Sequence, residues 1–214
     1  MFPAIPAISG DGRFVAFSSQ ATDLVSTNVH GFGNLYIRDT CTGASAGCTP
    51  TTTLASLAND GTVGNSPSPS QRFGMTPDGR FIVFDSIANT FPAGGFEDIF
   101  VRDTCYGVAS GCVPSTVRVS VTNTPSPETP SDSISGRPAI SADGHYVVFL
   151  SAATNLCAGC HGKRAHDGVS RQDWLLSRQD NWLFRVRLGS PETGRSRFVA
   201  PKGLIPKVPH QGSR

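Results

Sequence analysis

Three stretches of this chain are copies of one pattern, and that repetition limits the fold more than any other feature. They are "PAISGDGRFVAF" at 6–17, "FGMTPDGRFIVF" at 73–84 and "PAISADGHYVVF" at 138–149. Their Asp-Gly pairs, Asp11-Gly12, Asp78-Gly79 and Asp143-Gly144, stand 67 and then 65 residues apart. The first two copies are followed by "NLYIRDTC" at 34–41 and "DIFVRDTC" at 98–105, and then by Cys48 and Cys112. The chain is therefore built from a duplicated unit of about 65 residues, at about 4–70 and 71–135, with a third beginning near 136.

Each unit reads as a series of strands. A short extended piece leads into the Asp-Gly turn, where Gly supplies the positive φ that a tight hairpin needs. The runs Phe14 to Phe17, Phe81 to Phe84 and Tyr146 to Phe149 are continuously apolar, which suits strands buried on both faces. A third strand follows as Leu35 to Ile37 or Ile99 to Val101, ending at Arg38-Asp39 and Arg102-Asp103. In the second unit Val117, Val119 and Val121 alternate with Arg118 and Ser120, the pattern of a fourth strand with one wet face. Four antiparallel strands per repeated unit make propeller blades.

Composition agrees with many short strands joined by turns. Of 214 residues 23 are Gly and 16 Pro, and only 16% are charged, so an all-β chain is expected. No apolar stretch is long enough for a membrane span. Up to Leu156 there are 7 Arg, no Lys and 12 acidic residues, a net of −5; the remainder has 11 basic and 4 acidic residues, a net of +7. The basic residues are scattered rather than clustered, so 157–214 reads as an irregular basic tail and not a nucleic-acid patch. Within it, "NWLFRV" at 181–186 matches the third-strand motif and would continue the third blade after an insertion. Ser170 and Asp173 offer a capping-box start for a short helix.

Thr76-Pro77-Asp78-Gly79-Arg80 followed by Ile82 to Phe84, and later Phe100-Val101-Arg102-Asp103, resembles the β-propeller repeats of the TolB type, relatives of the WD-repeat propellers. The resemblance covers residues 4–156. It implies blades around a central channel, serving as a non-catalytic platform for other proteins or accompanying a separate catalytic domain. Closed propellers use about four to eight blades. Two complete units and part of a third imply a fragment, or a chain that completes its propeller by association.

The cysteines bear on compartment. Cys41 with Cys48 and Cys105 with Cys112 recur at one place in the unit, across the turn between third and fourth strands, and read as two local disulfides. The alternative is a pair of metal sites, for which neither repeat offers nearby His or C-x-x-C ligands. Disulfides imply the periplasm or the cell exterior. Met1-Phe2-Pro3-Ala4 does not have the layout of a signal peptide, so an incomplete N-terminus is expected.

A search for chemistry returns little. There is no G-x-S-x-G elbow, H-E-x-x-H, P-loop or dinucleotide fingerprint, and no enzyme activity or resident cofactor is expected. The repeated Asp11, Asp78 and Asp143 are explained by turn formation, and Arg38-Asp39 and Arg102-Asp103 by strand-end hydrogen bonds or by ion pairs between blades. Cys157-Ala158-Gly159-Cys160-His161 has the form of a c-type haem attachment motif, without the helices or the Met ligand that would support it. The sequence-based expectation is an exported, non-catalytic propeller module that binds another protein or a glycan. An accessory domain of a larger exported hydrolase is the alternative, and a haem carrier a lesser one.

Overall fold

The computed structural model describes residues 5–69, 72–91, 96–122 and 129–156, together with the backbone of 182–187. Cys157, Cys160 and His161, the capping-box segment and most of the basic tail lie outside the described residues. Within them every regular element is a strand, and the strands form three antiparallel sheets.

Blade 1 consists of β1 (Ala7–Ile8), β2 (Phe14–Ser19), β3 (Asn34–Asp39) and β4 (Thr51–Leu54) in the order β1-β2-β3-β4. Blade 2 repeats this with β5 (Phe73–Met75), β6 (Phe81–Ser86), β7 (Asp98–Asp103) and β8 (Ser115–Arg118). Blade 3 has β9 (Ser135–Ile140), β10 (Tyr146–Ser151) and β11 (Trp182–Arg187). The four-stranded meander expected of a propeller blade is therefore present twice in full, and a third sheet has three strands.

The third blade corrects the alignment of its last strand by one residue. Phe14 pairs with Asp39 and Phe81 with Asp103, but Tyr146 pairs with Arg187. Trp182, not Asn181, thus takes the place held by Asn34 opposite Ser19.

The blades stack face to face and share their cores. Phe14, Ala16, Leu35 and Ile37 of blade 1 pack against Ile82, Phe84 and Phe100 of blade 2, with Phe91 from the loop after β6. The other face of blade 2, carrying Val83, Ile99, Val101 and Val119, packs against Val147 and Phe149 of blade 3. Blade 2 is buried on both sides because side chains alternate across a strand: Ile82 and Phe84 point one way, Val83 the other, and all three are fully buried. Each large side chain of this kind contributes about 1.5–3 kcal/mol through burial.

The alternating segment of blade 2 differs from its expected wet-faced strand. Arg118 and Ser120 are not turned to water: the Arg118 side chain is 9% exposed and Ser120 is fully buried. Both reach buried Asp98, Arg118 Nη1 at 3.1 Å from Oδ2 and Ser120 Oγ donating to Oδ1 at 2.6 Å, while Ser131 Oγ donates to the same oxygen at 2.7 Å. A buried carboxylate needs such partners, and the strand's polar side chains supply them.

All hairpin turns of the type β1–β2 and β3–β4 lie at one end of the blades, the turn end. The long connections, β2 to β3 and blade to blade, lie at the opposite loop end. There the linkers hydrogen-bond to the loop of the following blade. Asn65 binds Asn89 and Thr90, and Asp132 binds Thr154 and Asn155 in the same way.

Candidate functional site

The repeated polar residues converge at the turn end, so this is where a site built from the repeat motif would have to be. In blade 1 the turn is closed by the Gly12 N–H donating to the Ser9 carbonyl at 3.0 Å, and Gly12 takes φ 76°. Asp11 Oδ1 accepts from the Ser9 hydroxyl at 2.6 Å and from the Arg13 N–H at 3.0 Å. Thr76, Asp78 and Arg80 repeat these bonds in blade 2, as do Ser141, Asp143 and His145 in blade 3. The hydroxyl residue two before Asp was visible in "ISGD", "MTPD" and "ISAD", but its role became legible only from the geometry.

A second layer ties this hairpin to the next. The Arg13 guanidinium grips Asp39 with two bonds, Nε to Oδ1 at 2.9 Å and Nη2 to Oδ2 at 2.8 Å. Arg80 grips Asp103 likewise, at 3.1 and 2.9 Å. Asp39 Oδ1 also accepts the Cys41 N–H at 2.8 Å, and Asp103 Oδ1 the Cys105 N–H at 2.9 Å. Thr40 and Thr104 return hydroxyl and amide bonds to the carbonyls of Arg13 and Arg80.

Arg38-Asp39 and Arg102-Asp103 make the strand-end hydrogen bonds expected of them, but the expectation of ion pairs between blades is corrected. The ion pairs run between neighbouring hairpins of a single blade, not between blades, and the arginine involved is the one after Asp-Gly. Arg38 and Arg102 instead donate to the hydroxyls of Thr52 and Thr116. Adjacency in "Arg-Asp" misleads because successive strand residues point to opposite faces.

Both expected disulfides are present, Cys41–Cys48 and Cys105–Cys112, with Cα separations of 5.8 and 5.7 Å. Asp39 lies close to the first pair and Asp103 to the second, all potential ligand atoms within 4.8 Å of one another. Neither group suits a metal ion: the sulfurs are bonded to each other and so are not thiolates, and each carboxylate is occupied by its arginine fork.

The electrostatics match a clasp of ionised carboxylates. The Arg13 guanidinium, aided by the Cys41 N–H, holds Asp39 below the ordinary carboxylate range, and Arg13 is raised in return. The Ser9 hydroxyl and the Arg13 N–H lower Asp11. The Ser141 hydroxyl and the His145 N–H bring Asp143 down to about 2. A group poised for proton transfer near neutrality is moved the other way.

The turn glycines have a further role that the sequence did not show. The Phe14 ring of blade 1 lies so close to Gly79 of blade 2 that a Cβ there would be 2.5 Å from Phe14 Cδ2. Phe81 of blade 2 covers Gly144 of blade 3 in the same manner, at 2.6 Å. Tyr106, from the second disulfide loop, stacks on the opposite blade's Phe14 with ring centroids 4.3 Å apart, and Arg13 lies over the same ring. The turn end is thus consumed by interactions that shape each blade and seat it on its neighbour.

The loop end carries a different set of residues. Phe32 and Phe96 each stand two positions before a third strand, and they are 40% and 48% exposed. Ile87 and Ile134, 49% and 53% exposed, belong to the same end. A single apolar loop residue is unremarkable in a sequence; the recurrence of Phe32 and Phe96 at equivalent places is the signal, and Ile87 and Ile134 lie beside it without recurring.

No family model matches this sequence, and no curated protein matches it. Among solved structures the chain is similar to TolB from Acinetobacter baumannii, at 23% identity over 69% of this chain and 26% of that one, with a TM-score of 0.35. It is also similar to a TolB-type structure from Agrobacterium tumefaciens (18% identity, 74% and 41% coverage, TM-score 0.39) and to the tricorn protease (15%, 70% and 11%, 0.40). The chain spans less than half the length of each. The propeller architecture itself rests on the repeated four-stranded meander and the shared cores between blades.

Proposed function

We propose that this chain is a non-catalytic β-propeller module of an oxidising compartment, and that its loop end docks another protein. The observation that carries the reading is the exposure of Phe32 and Phe96 at equivalent positions in successive blades, 40% and 48%. Aromatic side chains give large contact area at small entropic cost and dominate recognition surfaces. The company of two exposed aliphatic residues, Ile87 and Ile134, favours a protein surface over a sugar, whose hydroxyls require polar partners. The repeated acidic and basic residues support a non-catalytic role, because each is engaged in its own turn or hairpin. Two disulfides in short surface loops support extracytoplasmic residence.

The test compares the unchanged chain with a Phe32→Ser/Phe96→Ser variant in crosslinking and pull-down from a periplasmic extract, alongside a glycan array. A discrete protein captured by the first and lost with the second, at unchanged thermal stability, is the expected result. Capture that survives the double substitution, or binding confined to the glycan array, overturns the reading.

A further inference from the structure

Cations are scarce among the blades, and almost all of them are engaged. Up to Leu156 the chain has 7 Arg and no Lys. Arg13, Arg80 and Arg118 are paired with Asp39, Asp103 and Asp98, while Arg38 and Arg102 donate to the hydroxyls of Thr52 and Thr116. Arg72 and Arg137 are the two that remain. Both are exposed, and among the described residues neither guanidinium has a hydrogen-bond or ion-pair partner.

These two arginines hold the same place in successive repeats, six residues before the turn aspartates Asp78 and Asp143. Blade 1 has Ile5 there. Arg72 directly precedes β5, and its carbonyl accepts the N–H of Asp85, one residue from the end of β6. Arg137 lies in β9 beside Gly136, which stands opposite Leu150, one residue from the end of β10. Both therefore belong to the loop end, where Ile87 follows β6 and Ile134 precedes β9. The first strands of blades 2 and 3 also touch: a Cβ on Gly74 would lie 3.9 Å from Ile140 Cγ2. The two charges thus stand on adjacent strands. Arg72 stays exposed although described blades flank blade 2 on both faces.

Nothing in the blades uses these charges. Asp85, opposite Arg72, is fully buried and accepts the Arg72 main-chain N–H at 3.1 and 3.2 Å. Arg137 is held at φ 57°, a region that an L-residue enters only at a cost. The strand bulges at the same point, since Ala139 pairs with Val148 and Gly136 with Leu150, leaving Arg137 and Pro138 opposite Phe149 alone. A bulge re-aims a side chain, and strain of this kind gathers where a ligand is held.

We infer that the loop end recognises an acidic polypeptide segment, whose carboxylates are gripped by Arg72 and Arg137 while its apolar residues cover Ile87 and Ile134. This rests on the docking role proposed above and supplies the partner's chemistry. A guanidinium matches a carboxylate with two parallel N–H bonds. A free phosphate has the charge for such a fork but no use for the adjoining isoleucines.

Fluorescence anisotropy on the full chain tests this, with a labelled peptide of alternating Glu and Leu as the probe and its Gln-Leu counterpart as the control. The acidic peptide is expected to bind and the Gln-Leu peptide not to bind. Arg72→Gln and Arg137→Gln should each weaken binding about tenfold or more at unchanged thermal stability, and inorganic phosphate at the peptide's concentration should not displace it. Absence of binding, equal binding of the two peptides, displacement by phosphate, or binding indifferent to both substitutions overturns the inference. The Phe32→Ser/Phe96→Ser variant separates this inference from the docking reading. Binding kept by that variant but lost with the arginine variants supports the arginine site and overturns the aromatic docking surface; the reverse pattern overturns the arginine site alone. Should Arg137→Gln not fold, the exposed Arg72 decides the matter.

Discussion

At the scale of single residues, the acidic members of the repeat act as ionised hydrogen-bond acceptors. Asp11, Asp39 and Asp143 are all lowered from the ordinary value of 3.8, Asp143 to about 2. A carboxylate whose pKa is lower folded than unfolded binds fewer protons in the native state. Its contribution is complete above about pH 4 and is lost as pH falls through the folded value. Thermal melts are therefore expected to be flat in this respect from neutrality to about pH 5 and to fall steadily between about pH 4 and 2. Asp39→Asn, which weakens the fork to Arg13, should cost about 1–2 kcal/mol at neutral pH and shallow the acid limb; an unchanged acid limb would contradict the assignment. The glycines divide by what lies over them. Gly12 and Gly79 share a positive φ, so alanine at either costs about 1–2 kcal/mol in backbone strain. Only at Gly79 does the new methyl meet the Phe14 ring. Urea unfolding should show Gly79→Ala to be more destabilising than Gly12→Ala by at least about 1 kcal/mol, and equal costs would contradict the packing described.

At the scale of elements, each disulfide loop closes a short ring, and removing one costs about 2 kcal/mol by chain entropy. The two are not equivalent, because the Cys105–Cys112 loop carries Tyr106, which stacks on Phe14 and meets the Thr53 hydroxyl at 3.2 Å. Residue 42 in the first loop is Thr. Replacing Cys105 and Cys112 by Ser should thus lower the melting temperature more than replacing Cys41 and Cys48, a difference that Tyr106→Ala removes. The strands and turns were legible in the sequence because apolar runs, Asp-Gly pairs and cysteine spacing are local signals. Long-range partners were not. The alternation of Val117, Val119 and Val121 with Arg118 and Ser120 signalled a strand but not that Asp98 would draw the polar residues inside. Nor could the spacing show that Asp39 belongs to Arg13, 26 residues away.

At the scale of the molecule, two of the three apolar clusters among the described residues lie between blades, and the third, around Tyr36 and Leu54, belongs to blade 1. One apolar cluster joins blades 1 and 2 and another joins blades 2 and 3, as in repeat proteins where neighbours complete one another. The third repeat departs where the local bonds need it least. His145 replaces the gripping arginine, with Nδ1 3.1 Å from Asp143 Oδ2, and Arg187 is paired where Asp39 and Asp103 stand. The turn bonds of Ser141, Asp143 and His145 and the seating of Phe81 over Gly144 are kept nonetheless, so the third repeat retains both the turn and the lock between blades. That lock has a direct spectroscopic consequence, since an aromatic ring shifts the resonances of protons held over its face. In the NMR spectrum of the chain, the Hα resonances of Gly79 and Gly144 are expected to move strongly upfield and to show cross-peaks to the ring protons of Phe14 and Phe81, with Gly12 at an ordinary position. Three glycines with alike, unshifted resonances and no ring cross-peaks would contradict the stacked-blade architecture.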